Sequence, residues 1–427
     1  MDLIIRNAKL RGREKPVDIG VEATRITAIA PSVGEKGAVE IDAGGHLVSP
    51  PFCDPHLHLD AVLSVGDPRY NQSGTLLEGI AIWAERKPRL TKELIKANAL
   101  EAVKWEIAQG VLKIRTHADV FAPDLVTVQA LLELKEELAE AVDIQVVAFP
   151  QDGIYSSPGG EQLMEKALRM GVDVVGGIPH NELTREDGIR DLEYVFSLAE
   201  KFDRPIDVHC DETGDEQSRF TEVLAKLAIE RGLHGRVAAS HATAMHNYNN
   251  DYAFKLIGIL KRSGVHVITN PFDNAVLQNR FDGYPRRRGH TRVDELTERG
   301  VNVAIGHDSI MDPWYPLGRG SMLQAANLLL HTAHLSGFGQ ISQLYDMITV
   351  NSAKLLGCED EYGIAEGRAA DLIILNAETE MDAIRLLPEC LWVIRRGRVI
   401  ATTAPARSRV EIRGKSEEID FRRGETR

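Results

Sequence analysis

Residues 51–60, PFCDPHLHLD, place two histidines, His56 and His58, at the end of an apolar run. Positions i and i+2 of a β-strand point to the same face, so both imidazoles are predicted to face one side of a sheet. Two imidazoles on one face suit a metal ion, although a pair of buried core histidines would give the same pattern. The surrounding segments are therefore needed to distinguish the two interpretations.

From residue 51 to about residue 357, short apolar segments alternate with longer amphipathic stretches. Continuous apolar strands that alternate with helices are typical of a parallel sheet covered on both faces. Eight such segments occur, the number that closes a (β/α)8 barrel of the TIM type. They are HLVSPPFCDPHLHLD, VLKIRTHADV, DIQVVAFPQ, VDVVGGIPH, PIDVHCDE, RVAASHAT, VHVITNPF and VNVAIGHDS.

The two ends of the chain have a different texture. Short runs in which apolar and polar residues alternate, separated by turn residues, indicate β-strands. Such runs occur in the first fifty residues and in the segments AADLIILNA and LWVIRRGRVIATT. We therefore expect one small β-sandwich-like domain, built from both ends and lying outside the barrel. The predicted boundaries are 1–50 for its first part, 51–368 for the barrel, and 369–427 for its second part and the tail.

The composition limits the classes of partner. The formal net charge of -13 argues against a nucleic-acid-binding protein, which needs a basic surface. The basic stretch YPRRRGHTR is a local exception, interpreted as a solvated loop or an anion contact. Four cysteines without a CxxC pair indicate a reducing compartment. The N-terminus lacks signal-peptide character and no run approaches the length of a membrane span, so a cytoplasmic protein with no membrane contact is expected.

Side chains that can bind a metal lie where several predicted strands end. His209 ends the fifth segment and Asp308 ends the eighth, and in a barrel such ends meet on one face. Together with the HxH pair they form a His3Asp set, which suits a single Zn²⁺ or Fe²⁺ ion. The fourth segment lacks the lysine that bridges two metals in related barrels, which favours one ion. Further histidines also end segments, namely His117, His180, His241 and His307.

Two more residues are candidates for the chemistry. Glu212 lies three positions after His209, close enough to approach a substrate without binding the metal, as a general acid/base should. An exposed loop glutamate is the alternative. His241 is predicted to support the metal site or to position an attacking water molecule, and a structural core histidine is the alternative.

Several longer motifs carry a specific resemblance. They are NQSGTLLEGI, AFPQDGI, DVHCDETGDEQSRF, SHATAMHNYN, LQNRFDGYPRRRG and GHDSIMDPWYPLG. With these motifs the chain resembles the amidohydrolase superfamily and, more narrowly, the barrel-type bacterial cytosine deaminases, over nearly its whole length. The resemblance implies that one divalent metal ion is bound by His56, His58, His209 and Asp308.

The same resemblance implies the roles of the catalytic residues. Glu212 would protonate the ring nitrogen beside the amino-bearing carbon. His241 and Asp308 would orient and deprotonate the attacking water. Attack at that carbon followed by loss of ammonia would leave a carbonyl group, so the implied activity is hydrolytic deamination.

For the substrate pocket, the resemblance implies that Gln151 binds the amide edge of a pyrimidine, while Leu76 and Trp314 form walls. Two positions depart from the family. Ser309 stands where the family has a second aspartate, and Asn181 stands where it has an aromatic residue. A smaller, uncharged Ser309 would leave space beside the ring, so cytosine or a 5-substituted cytosine such as 5-methylcytosine is the expected substrate.

Other functions stay open at this stage. Isoguanine, creatinine or another cyclic amidine could be the substrate of the same chemistry. A non-catalytic barrel that only binds a ligand is a remote alternative, because such proteins typically lose metal ligands and this chain keeps them. Hydrolysis of a cyclic amide or ester is disfavoured by the missing lysine and by Glu212. A nucleobase-like small molecule is the expected ligand, and a homo-oligomer is the expected assembly.

Overall fold

A computed structural model describes residues 1–422 of the protein. The chain begins with five short strands. They are β1 (Leu3–Ala8), β2 (Val17–Glu22), β3 (Arg25–Ala30), β4 (Val39–Asp42) and β5 (Val48–Ser49). The first four form one sheet in the order β3-β2-β1-β4, while β5 pairs with a strand from the other end of the chain.

The central part of the chain is an eight-stranded parallel sheet in sequential order, as predicted. The strands are buried along most of their length because helices cover one face and side chains fill the interior. They are β6 (Phe52–Leu57), β7 (Val111–Asp119), β8 (Asp143–Phe149), β9 (Val174–Gly177), β10 (Ile206–Cys210), β11 (Val237–His241), β12 (His266–Thr269) and β13 (Val303–Ile305).

Twelve helices surround the strands or extend from their ends. They are α1 (Leu76–Arg86), α2 (Lys92–Ala108), α3 (Val126–Glu137), α4 (Gly160–Arg169), α5 (Arg185–Phe202), α6 (Phe220–Glu230), α7 (Asn250–Ser263), α8 (Pro271–Leu277), α9 (Val293–Glu298), α10 (Met322–Thr332), α11 (Phe338–Met347) and α12 (Val350–Leu355). Several begin at a capping side chain. The Thr91 hydroxyl accepts a hydrogen bond from the Leu94 amide at 3.2 Å, and Thr184 caps α5 in the same way.

The barrel closes between its first and last strands. The Asp308 amide donates to the His56 carbonyl at 2.8 Å, and the His58 amide donates to the Asp308 carbonyl at 3.1 Å. Asp308 therefore lies beside both histidines of the HxH pair, although about 250 residues separate them in sequence. The closed (β/α)8 barrel confirms the predicted fold.

Both chain ends form the β-sandwich-like domain that the sequence predicts. Strands β14 (Leu372–Leu375), β15 (Cys390–Arg395) and β16 (Arg398–Thr402) join β5 in the order β16-β15-β14-β5. The two sheets share one apolar core, in which Leu3, Ile19 and Leu372 are buried. Helix α13 (Glu380–Leu386) packs against α10 and α11, where the Asn327 side chain donates to the Ile384 carbonyl at 2.9 Å.

The last described residues form a two-stranded hairpin of β17 (Ser408–Ile412) and β18 (Lys415–Ile419). Residues 423–427, which belong to the predicted segment 369–427, lie outside the described residues. Within residues 1–422 no helix is both long and apolar enough to cross a membrane. The four cysteines lie within the described residues, and none of them forms a disulfide bond there.

Candidate metal centre and active site

The four predicted metal ligands converge at the carboxyl ends of the strands. The Nε2 atoms of His58 and His209 are 3.2 Å apart. Asp308 Oδ1 lies 3.4 Å from His56 Nε2 and 3.5 Å from His58 Nε2. The ligand atoms of the three histidines all lie within 4.8 Å of one another. The structure thus places all four side chains around one point.

The chemistry of this donor set fits a divalent metal ion. Burial lowers the pKa of His56, His58 and His209 and takes that of His58 to about 3, so the rings are neutral and keep a lone pair. The buried His56 Nε2 has no hydrogen-bond partner within residues 1–422. Burial, together with the nearby carboxyls of Asp273 and Glu212, raises the pKa of Asp308. A cation would satisfy the ring nitrogens and favour the Asp308 carboxylate.

A chain of buried polar groups orients His56. Arg115 donates to Asp207 at 3.0 Å, and the Ser240 hydroxyl donates to Asp207 at 2.7 Å. The Ser240 oxygen then accepts a hydrogen bond from His56 Nδ1 at 2.9 Å. Because the proton of His56 is held on Nδ1, the lone pair on Nε2 faces the other ligands. Such support is typical of metal-binding histidines.

Two of the strand-end residues have a left-handed backbone. His241 has φ 68° and Asp308 has φ 72°. A residue with a Cβ atom loses about 1–2 kcal/mol in this conformation relative to the right-handed one. Strain of this kind concentrates where function requires a particular side-chain direction. Here it lets both side chains turn from the strand ends into the same cavity.

Glu212 is buried beside the histidine cluster, which excludes the alternative of an exposed loop residue. Its side chain is 8% exposed, and Oε1 accepts a hydrogen bond from Gln278 Nε2 at 3.1 Å. Burial raises the pKa of Glu212 to about 8. The carboxyl therefore holds a proton at neutral pH and can donate it.

His241 lies between Glu212 and Asp308. Its Nδ1 is 3.7 Å from Glu212 Oε1, and its Nε2 is 3.8 Å from Asp308 Oδ2. Burial and the nearby His180 and His58 lower the pKa of His241, which makes the ring neutral. His241 lines the cavity, so it is more than a structural core histidine.

A cavity of about 490 Å³ opens above the cluster. Its volume is in the range of small-molecule sites. Gln151 is buried, at 7% exposed, and lines this cavity, where its side-chain amide can meet a ligand. The four residues predicted to contact substrate all line this cavity, namely Gln151, Leu76, Ser309 and Trp314.

Aromatic rings form part of the cavity wall. The Trp314 ring centroid lies 6.2 Å from that of His58, and Leu76 packs against the cluster that contains Trp314. Phe149, which was not among the predicted site residues, stacks on His209 with ring centroids 4.2 Å apart. Its only signal was an apolar position at the end of β8, two residues before Gln151.

The residues that follow strand β12 contact the site but were not among the predicted site residues. Asn274 Nδ2 lies 3.0 Å from His241 Nδ1. The Ser309 hydroxyl donates to Asp273 Oδ2 at 2.7 Å. The spacing of the polar residues in NPFDNAVLQ could have indicated them, but such spacing shows only which residues lie on the same face of a helix. The four residues from this segment that contact the site are Asn270, Asp273, Asn274 and Gln278.

The remaining strand-end histidines differ from one another in position. His117 is buried with its ring centroid 4.2 Å from that of His56, and neither ring nitrogen has a partner within residues 1–422. His180 lines the cavity. His307 accepts a hydrogen bond from the Gly320 amide at 3.2 Å and does not line the cavity. Asn181 lines it and donates to the Gln151 carbonyl at 3.2 Å.

Residues 39–401 match the amidohydrolase family. The chain belongs to this family. Amidohydrolases are metal-dependent hydrolases, in agreement with the His/Asp cluster at the barrel mouth. The family resemblance drawn from the sequence motifs is thereby confirmed.

Two known proteins are similar to this amidohydrolase over nearly its whole length. A crystal structure of 5-methylcytosine deaminase from Klebsiella pneumoniae, liganded with phosphonocytosine, is 45% identical, with a TM-score of 0.91 over 96% of this chain and 99% of that one. The same deaminase liganded with 5-fluorocytosine gives a TM-score of 0.93 at 45% identity, over 95% and 99% of the two chains. The N-isopropylammelide isopropyl amidohydrolase of Pseudomonas sp. (strain ADP) is 35% identical over 409 residues, 93% of this chain and 97% of that protein.

Proposed function

We propose that this amidohydrolase is a hydrolytic deaminase that converts 5-methylcytosine and cytosine to thymine and uracil with release of ammonia. The observation that carries the proposal is the buried Glu212 carboxyl beside the His/Asp cluster of candidate metal ligands, in a cavity of about 490 Å³ that is large enough for a nucleobase. The similarity to a deaminase that binds cytosine analogues supports the choice of substrate.

The proposed mechanism divides the work among residues at the cavity floor. His56, His58, His209 and Asp308 would hold one Zn²⁺ or Fe²⁺ ion. When bound, such an ion lowers the pKa of a coordinated water molecule towards neutrality and so supplies hydroxide.

The protein's own residues would then move the protons. An Asp308 oxygen accepts a proton from the attacking water and can deliver it to the departing amino group. Glu212, whose pKa is raised by burial, donates its proton to the ring nitrogen beside the carbon under attack and so limits the build-up of negative charge. Loss of ammonia forms a carbonyl group, and the remaining proton of the added water passes to the Glu212 carboxylate, which replaces the proton that Glu212 gave to the ring. The two carboxyl groups thus move different protons: Asp308 acts on the water and the departing amino group, and Glu212 acts on the ring nitrogen.

Recognition of the ring is assigned to two sides of the cavity. The Gln151 amide can donate one hydrogen bond and accept another, which matches a carbonyl next to an N–H group. On another side, Ser309 directs its hydroxyl to Asp273 at 2.7 Å and presents no charge of its own to the cavity. A 5-methyl group could then be buried there, which is worth roughly 0.8 kcal/mol.

Other substrates of the same chemistry serve as tests of the proposal. The 35% identity to an N-isopropylammelide isopropyl amidohydrolase favours release of an alkylamine from a triazine as the second candidate. Isoguanine and creatinine are cyclic amidines that present comparable groups. A protein that binds a nucleobase without turning it over is the non-catalytic alternative.

The decisive experiment measures kcat/KM of the purified, zinc- or iron-loaded protein for each of these compounds. Ammonia release is followed for cytosine, 5-methylcytosine, isoguanine and creatinine, and isopropylamine release for N-isopropylammelide. We expect kcat/KM for 5-methylcytosine to equal or exceed that for cytosine. Absence of ammonia from both pyrimidines, with turnover of another compound, would contradict the proposed substrate.

Three finer statements stay predictions. They are the binding of a single Zn²⁺ or Fe²⁺ ion per chain, a homo-oligomeric assembly and a cytoplasmic location. Elemental analysis, sedimentation of the purified protein and cell fractionation test them in turn.

A further inference from the structure

Strand β12 is followed by a segment that contacts the catalytic candidates from outside the cluster. Asn270 precedes helix α8, and Asn274 lies within it. Asn274 Oδ1 accepts a hydrogen bond from the Asn270 backbone amide at 3.0 Å. Because that oxygen is already bound to an N–H group, the orientation of the Asn274 amide is fixed, and its Nδ2 group faces His241.

This orientation determines which nitrogen of His241 can carry a proton. Asn274 Nδ2 lies 3.0 Å from His241 Nδ1, and an N–H donor facing a ring nitrogen requires a lone pair there. We infer that Asn274 is a positioning residue that holds His241 as the tautomer with its proton on Nε2. His241 then acts as a hydrogen-bond donor towards the attacking oxygen, and proton removal is left to Asp308.

A second amide contact does not alter this assignment. Asn270 Nδ2 lies 3.4 Å from Nδ1 and 3.3 Å from Nε2 of His241, so it is almost equidistant from the two nitrogens. A neutral imidazole carries one proton, and both nitrogens cannot act as acceptors at once. The shorter contact, from an amide locked by the backbone, therefore decides the tautomer.

The neighbouring carboxyl groups agree with this proton position. Glu212 Oε1 is 3.7 Å from His241 Nδ1, too far for a hydrogen bond, and it accepts from Gln278. On the other side, Nε2 is 3.8 Å from Asp308 Oδ2. A gap of this length is one that a water molecule can bridge. A proton on Nε2 and a carboxylate oxygen would thus contact the same water.

The role assigned to His241 rests on the proposed deamination, whereas the position of its proton does not. The test uses the zinc-loaded, deuterated protein in a neutron diffraction experiment, which locates the deuteron directly. We expect a deuteron on His241 Nε2. A deuteron on Nδ1, or on both nitrogens, would overturn the inference whether or not any pyrimidine is deaminated.

Two variants of Asn274 connect the tautomer to turnover. In Asn274→Asp one oxygen still accepts from the Asn270 amide, while the other can accept only from a protonated Nδ1, so the deuteron should move to Nδ1. Loss of one donor to a developing oxyanion lowers kcat by about 10²–10³-fold. We expect a fall of that order for 5-methylcytosine, with a change in KM of less than about threefold.

The Asn274→Ala variant separates orientation from packing. It removes the hydrogen-bond donor that faces His241 Nδ1 without putting an acceptor in its place. Both tautomers of His241 are then allowed, and kcat should fall less than in Asn274→Asp. Equal losses in both variants, with the deuteron on Nε2 in each, would show that Asn274 acts through packing alone and would overturn the positioning role. A moved deuteron with wild-type kcat would also overturn it.

Discussion

Replacing Glu212 by glutamine is expected to slow turnover strongly and, at alkaline pH, to stabilise the fold. Glutamine keeps the size of the side chain and an oxygen that can accept from Gln278, but it cannot donate the acid proton. General acid/base catalysis is typically worth about 10²–10⁴-fold, and kcat should fall by that factor. Metal content should be unchanged because Glu212 is not among the four candidate ligands.

The stability effect follows from the pKa of Glu212, which burial raises from 4.5 to about 8. Between these values the folded state keeps a proton that the unfolded state has lost, so the free energy of unfolding decreases as the pH rises. At 1.36 kcal/mol per pKa unit, the loss is about 1 kcal/mol at pH 5 and about 4 kcal/mol at pH 8. Below pH 4 the effect vanishes because both states are protonated.

The assay compares denaturant unfolding of the wild-type protein and Glu212→Gln at pH 5 and pH 8, with the metal removed because a cation favours the carboxylate. The variant should match the wild type within about 1 kcal/mol at pH 5 and exceed it by up to about 4 kcal/mol at pH 8. Glu216→Gln, at an exposed position four residues later, is the matched control and should change neither activity nor stability. Near-wild-type kcat in Glu212→Gln would refute the acid role, and an unchanged pH dependence of unfolding would refute the raised pKa.

Three further predictions concern the metal and the substrate. His209→Ala should lose the bound ion and activity together, and elemental analysis showing full metal content would contradict its role as a ligand. Ser240→Ala removes the oxygen that holds His56 and should weaken metal affinity by about 10–100-fold, as measured by competition with a chelator. Ser309→Asp should shift the ratio of kcat/KM from 5-methylcytosine towards cytosine. It should also destabilise the fold, because the new carboxylate meets Asp273, and Asp273→Asn should relieve that loss in the double variant. An unchanged substrate ratio would show that position 309 does not determine the choice of substrate.

The sequence by itself determined the class of fold and the residues of the cluster. The alternation of apolar and amphipathic segments reports local structure, and eight repeats of it are enough to predict a (β/α)8 barrel. The rule that strand ends meet on one face then connected His56, His58, His209 and Asp308 before any distance was known. Glu212 and His241 were candidates from their positions at the strand ends, motif resemblance implied their roles, and the structure brings both to the same cavity.

The tertiary structure decided how those groups are held and protonated. Closure of β13 on β6 set the contacts of Asp308, and burial gave Glu212 its raised pKa, which depends on all the atoms around it. The segment after β12 contains no histidine in its strand-end motif, so sequence alone gave no reason to connect Asn274 with His241 or Asp273 with Ser309. Hydrogen bonds between elements far apart in the chain leave no repeating pattern in the sequence, because they depend on how the closed barrel aligns the ends of its strands.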